Sequence, residues 1–244
     1  TLVLLDGTGK ELKRVRDTDR RDALLDFVAP ANGDYVLGLY DFLYRGGDEY
    51  FYRLSIHSGP HLDYIFPPAG PAGSREKYTL YGRNLPGSRP AEGVIPEGIQ
   101  LEKMSVDIYL SGDEQARRGL LFGSLIEPHE SLIDAQDFRL TSHQGTSGPV
   151  RVGYAIAPVV LEQEPNNNQA SQAQKVTVPC EYVGQFYPRQ DRDWISFEAH
   201  KGEVYWIKVI SQRLGVETDP YLRVEKITKN DKGKENVSIV KEAD

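Results

Sequence analysis

The chain has 244 residues, enough for one large β domain or two to three small ones at about 100 to 200 residues each. Hydrophobic residues make up 39 % and aromatic residues 10 %, which provides material for packed cores and excludes a disordered polymer. The formal charge is −7 and Lys and Arg are scattered along the chain, which argues against nucleic acid as a partner because phosphate binding needs a concentrated basic face.

Apolar and polar residues alternate in short runs bounded by Gly, Pro, Asn and Asp, and no segment keeps helical periodicity over three turns. The pattern predicts an all-β chain. In chain order the predicted strands cover 2–5, 24–28, 34–40, 49–57, 77–81, 105–110, 150–156, 176–185, 194–199, 204–211 and 221–227. Helix-like stretches are brief, at 113–119 and 168–174. Two Pro/Gly-rich zones, Phe66-Pro-Pro-Ala-Gly-Pro-Ala-Gly-Ser74 and 146–149 with 157–165, divide the chain into modules 1–60, 61–159 and 160–244. Loops at 82–98 and 127–136 are long enough to carry function at the surface.

Cys180 is the only cysteine, so no intramolecular disulfide forms. Its surroundings, Val178-Pro-Cys-Glu-Tyr-Val183, suit a small apolar residue better than a nucleophile. No run of about 18 apolar residues exists to cross a membrane. Leu2-Val-Leu-Leu5 is too short for a signal peptide, and the chain reads as a cut from something longer with any targeting segment upstream.

The stretch from Glu162 to Pro220 says most. Leu161-Glu-Gln-Glu-Pro-Asn-Asn-Asn168 is followed by Asp191-Arg-Asp-Trp-Ile-Ser-Phe197, by Lys201-Gly-Glu203 and the strand-like 204–210, and by Asp219-Pro-Tyr-Leu222. This order of parts resembles the bacterial pre-peptidase C-terminal (PPC) domain, a small jelly-roll-like β-sandwich appended to secreted proteins. A weak internal repeat lays 2–11 on 222–235, both reading as strand, turn and Gly-Lys-Glu. In the resembled family that piece falls mid-domain. Residues 1–60 therefore resemble a C-terminal half of such a sandwich and 160–244 an N-terminal half. Asp26-Phe-Val-Ala-Pro-Ala-Asn-Gly-Asp-Tyr35 resembles the family's closing hairpin, where Asn32-Gly33 would supply the positive φ of a tight turn.

The middle module, with Lys77-Tyr-Thr-Leu-Tyr-Gly-Arg-Asn-Leu-Pro-Gly87 after its Pro/Gly opening, resembles an immunoglobulin-like sandwich of the IPT/TIG type. Gly82 and Asn84 there tolerate left-handed conformations and Pro86-Gly87 reverses the chain. The three parts in this order are similar to very large exported proteins of planctomycete-type bacteria. The resemblance implies an extracellular, periplasmic or cell-surface location. It implies a surface polymer, polysaccharide or protein, or another module of the same protein as partner. Half modules leave an open edge and an uncovered core face, which predicts pairing of halves within or between chains.

One metal candidate stands out. A hard cation such as Ca²⁺ takes six to eight oxygen ligands from carboxylates, amides and carbonyls. In collagen-binding relatives of the resembled family, linker carboxylates and amides hold calcium together with acidic residues before the next strand. Carried over, this makes Glu162, Glu164 and Asn166 the linker ligands and Asp191 and Asp193 their partners. The plain alternative is a linker ending in a turn, with Asn167 or Asn168 capping a short helix and Asp191 shaping the turn before Trp194.

For catalysis, His57 and His61 are separated by Gly59-Pro60 and share no helix face for zinc. Ser147 lacks the Gly-x-Ser-x-Gly context of a hydrolase nucleophile. Gly7-Thr-Gly9 reads as a hairpin turn. The favoured function is a non-catalytic accessory, binding or architectural module stabilised by calcium. The alternative is a peptidase or glycosidase with an acidic site in the middle module's loops. Tyr40, Phe42, Tyr44, Tyr50 and Tyr52 around Arg45-Gly-Gly47, and Tyr205 with Trp206, serve either as core or as a platform for sugar or peptide.

Overall fold

The computed structural model describes residues 1–16, 23–93, 100–114, 133–166, 172–187, 190–214, 218–229 and 235–243. The chain is all-β and divides into two compact units, Thr1–His57 and Ser58–Asp244. The expected helical turns at 113–119 and 168–174, the loop 127–136 and residues Asn167 and Asn168 lie wholly or mostly outside the described residues.

In the first unit β1 (Leu2–Asp6) is the most apolar segment and takes the centre of a three-stranded antiparallel sheet. Its neighbours are β2 (Glu11–Val15) and β3 (Tyr35–Leu39). Leu2, Val3 and Leu4 are buried. The β1–β2 turn is held by Asp6, whose Oδ1 accepts from the Thr8 hydroxyl at 2.6 Å, Thr8 N at 2.9 Å and Lys10 N at 3.0 Å. Gly9 supplies the left-handed residue there, with φ of 86°. Neither Asn32 nor Gly33 takes a positive φ. Instead of closing a hairpin, that segment is braced by Tyr35, whose hydroxyl donates to Ala31 O at 2.7 Å while its ring lies 5.2 Å from Phe27. Residues 24–28 and 49–57, predicted as strands, are irregular chain. A strand needs a partner ladder as well as propensity, and these segments pair with none among the described residues.

The second unit opens with a two-sheet sandwich. One sheet has the order β4 (His61–Phe66), β6 (Arg75–Arg83), β8 (Glu102–Tyr109), β7 (Arg89–Pro90). The other has β5 (Ala69–Pro71), β12 (Val150–Ala155) and β9 (Ala135–Phe138), with β5–β12 parallel and β12–β9 antiparallel. A small hairpin, β10 (Thr141–Ser142) with β11 (Gly145–Thr146), joins β9 to β12. Alternation along β6 sends Tyr78 and Leu80 into the core between the sheets, with Leu62, Ile65, Ile108, Leu110, Val150, Val152 and Tyr154. Tyr81, of opposite parity, packs with Ala91 and Leu101, its ring stacked 4.5 Å from Tyr64. Each fully buried side chain of this size contributes about 1.5–3 kcal/mol.

The Gly82-Arg-Asn-Leu85 turn works differently from expectation at one position. Asn84 and Gly87 are left-handed, with φ of 54° and 69°, but Gly82 has no positive φ. Its lack of a side chain serves close approach, because a Cβ there would stand 2.0 Å from His61 O beside the bulge in β4–β6.

Beyond the sandwich the strands are short. β13 (Val159–Leu161) pairs in parallel with β15 (Glu181–Val183), and β14 (Gln174–Lys175) in parallel with β16 (Ile195–Ser196). Of the predicted strand 176–185 only Glu181–Val183 is strand, as β15, and β14 ends just before that stretch. A 3-10 turn at Gln212–Leu214 precedes the antiparallel hairpin β17 (Leu222–Lys229) and β18 (Glu235–Ala243). Residues 204–210 are irregular, with Val204 85 % and Trp206 94 % exposed. No helix among the described residues is long and apolar enough to cross a membrane.

Candidate metal centre

Two parallel ladders bring the acidic residues together. The β13–β15 ladder ends with Glu162 N donating to Val183 O at 2.9 Å, so the Glu162 side chain leaves the strand beside Gly184 and Gln185. Glu162 Oε2 accepts from Gln185 N at 2.8 Å. Gly184 makes room, since a Cβ there would come within 3.0 Å of the Glu162 carboxylate. In the β14–β16 ladder Gln174 N donates to Trp194 O at 2.9 Å, which fixes Asp193 next to the strand.

Gln174 ties the two ladders. Its Nε2 donates to Leu161 O at 3.0 Å, and its Oε1 accepts from Gln163 N at 2.8 Å and the Tyr182 hydroxyl at 3.1 Å. Glu164 Oε2 accepts from Asn166 N at 3.0 Å and folds the linker back. Asp191 closes a turn by accepting from Arg192 N at 2.8 Å and Tyr187 N at 3.0 Å. Asp191 thus shapes the turn before Trp194, as the plain reading expects, and also faces the other acids.

Glu162, Glu164, Asp191 and Asp193 each place a carboxylate oxygen within 4.8 Å of all the others. Oxygens on one Ca²⁺ lie about 2.3–2.6 Å from it, so any two are at most about 5 Å apart. The four carboxylates therefore fit around a single ion. Asn166, the remaining residue of the expected set, is buried beside them. Its Nδ2 donates to the Tyr182 hydroxyl at 2.9 Å and to Glu162 Oε1 at 3.3 Å. Its Oδ1 is buried without a hydrogen bond, and so is Asp193 Oδ1. Buried polar oxygens ordinarily have partners. Two such oxygens at a carboxylate cluster fit a cation.

Burial first, then the hydrogen bond its protonated form donates to Glu162 and the charges of Glu162, Asp191 and Glu164, hold the Asp193 carboxyl far above the usual carboxylate range. Burial, followed by the Glu162 charge, likewise raises the Tyr182 hydroxyl. Oxygen donors without thiolate or imidazole select a hard cation. Four carboxylates with an amide oxygen beside them suit Ca²⁺, which takes six to eight oxygen ligands, better than Mg²⁺, which keeps several waters and uses one or two carboxylates.

All five residues expected from the sequence converge here. Sequence reasoning missed Tyr182, Gln174, Gln185 and Gly184. Tyr182 carried a signal, because alternation opposes it to buried Val183; Gln174 carried none.

The other candidates are structural. Ser147 is buried, its hydroxyl accepting from Leu140 N at 2.9 Å and donating to Gly148 O at 2.6 Å. Cys180 is partly buried, and burial raises its thiol. Asp6 turns the Gly7-Thr-Gly9 hairpin. No protein-family model matches this chain, and neither a curated protein nor a solved structure does.

Proposed function

We propose that this chain is a non-catalytic, Ca²⁺-binding β module of an exported bacterial protein, built from PPC-like halves around an immunoglobulin-like sandwich, that attaches its parent to a surface polymer. The observation that supports this is the convergence of Glu162, Glu164, Asp191 and Asp193 within 4.8 Å, with the unpartnered oxygens of Asn166 and Asp193 beside them. Bound Ca²⁺ supplies charge neutralisation. Glu162, Glu164 and Asn166 hold it from the linker side, and Asp191 and Asp193 from the turn before β16.

The ion's effect is mechanical. It joins the chain leaving β13 to the chain entering β16 in a part of the fold where the paired strands are two or three residues long. The exposed Val204, Trp206, Val209, Val237 and Ile239 support pairing of this half module with a further module. The hydrolase alternative needs two carboxylates in the middle module's loops, of which residues 94–99 and 115–132 lie outside the described residues.

Thermal unfolding of the full chain with EDTA and with millimolar CaCl₂ tests the reading. Calcium should raise the melting temperature, and Glu164→Ala with Asp191→Ala should remove the rise. No calcium shift in the parent chain would sink the metal reading.

A further inference from the structure

We propose that Tyr44 is the stacking platform for the pyranose rings of an uncharged polysaccharide. Asp41 Oδ1 accepts from Leu43 N at 3.1 Å and Arg45 N at 3.0 Å, and Tyr44 N donates to Asp41 O at 3.0 Å. These bonds close a tight turn in which Tyr44 takes φ of 56°. A bulky side chain is uncommon in that left-handed region. No burial offsets the cost, because Tyr44 is 82 % exposed.

The ring is nevertheless held in place. It stacks on Tyr40 at 5.5 Å with 5° between the planes. Tyr40 is half-buried, and its hydroxyl accepts from Arg14 Nη1. One face of Tyr44 is thereby backed by a fixed second ring while the other meets solvent. Arg45 extends the platform by lying 5.8 Å over the Tyr50 ring. Strain maintained at an exposed, pre-positioned side chain points to a binding role.

Charge selects the occupant. Arg45 is paired with Asp41 at 3.4 Å and Arg14 with Glu11. Residues 40–57 carry three carboxylates (Asp41, Asp48, Glu49) and two guanidiniums (Arg45, Arg53), and Arg16, whose guanidinium lies 4.8 Å over the Phe42 ring, brings the balance to zero. An acidic polymer finds no surplus cation there. A neutral pyranose offers a flat face of C–H groups to the ring and needs no cation to hold it.

This deepens the reading of a polymer-binding module and fails separately from it, because the calcium titration reports on Ser58–Asp244 and this site lies in Thr1–His57. The test is affinity electrophoresis of the full chain through gels containing soluble β-1,3-glucan, amylose or mannan, with alginate as the acidic comparison. Retardation is expected in at least one neutral gel. Tyr44→Phe should keep it, and Tyr44→Gly should weaken association about tenfold or more. Glycine accepts the left-handed backbone, so Tyr44→Gly should leave the melting temperature equal or higher. Retardation by alginate alone, by no neutral polymer, or undiminished in Tyr44→Gly would overturn the proposal.

Discussion

The sandwich at 61–155 and the segment at 159–229 belong to one unit but are held by different forces. In the sandwich, long strands such as β6 and β8 enclose an apolar cluster in which Leu80 and Val152 are fully buried. In the later segment the paired strands before β17 have two or three residues, and among its described residues only Val176 and Val183 are buried hydrophobics. Its fixed point is a cluster of acids. An apolar core needs no ligand to be stable, whereas four carboxylates brought together repel one another until a cation joins them. One region is complete as folded, and on the proposed reading the other is conditional on a bound ion.

Core truncation breaks the comparison hardest. Leu80→Ala should cost about 2–5 kcal/mol in chemical denaturation, and the loss should be the same with EDTA or calcium. Next in size is calcium itself. Free Ca²⁺ at 100 times its dissociation constant should stabilise the protein by about 2.7 kcal/mol, read as protection from hydrogen exchange concentrated in 159–196 rather than in β6 or β8.

The dependence on pH sharpens the contrast. Asp193 has a folded pKa raised above its unfolded value of about 3.9, so the folded state holds the extra proton. That contribution to stability is present below about pH 4 and is lost as pH rises through the raised value. The melting temperature in EDTA should therefore fall with rising pH across this window. Calcium requires the ionised carboxylate, so its affinity should rise over the same range. The smallest effect is steric. Gly184→Ala should crowd Glu162 and weaken calcium binding several-fold, by less than about 1.4 kcal/mol, with little change in the metal-free melting temperature.

The comparison also explains what was legible in the sequence. The acids were legible because two carboxylates before Pro165 with an amide run after it, and an Asp-x-Asp before a strand, are local patterns, and the short ladders only had to bring them together. The repeat between 2–11 and 222–235 was legible as well, and both copies form a hairpin with a register shift in the first strand. Their fates differ for a non-local reason. Leu2, Val3 and Leu4 are covered, while Ile227, Val237 and Ile239 stand exposed. Residues 49–57 and 204–211 failed as strands for the same reason, since alternation states propensity and a ladder needs a neighbour. Gln174 was invisible because its role depends on two ladders meeting.

The most direct test is isothermal titration of Ca²⁺ into the metal-stripped full chain beside the Asp193→Asn variant. Asparagine keeps the shape and one oxygen donor but removes the charge. The account predicts saturable binding of one ion per chain at this cluster, with affinity at neutral pH reduced at least about tenfold in the variant. Absence of saturable heat in the parent chain, or equal affinity in the two proteins, would contradict it.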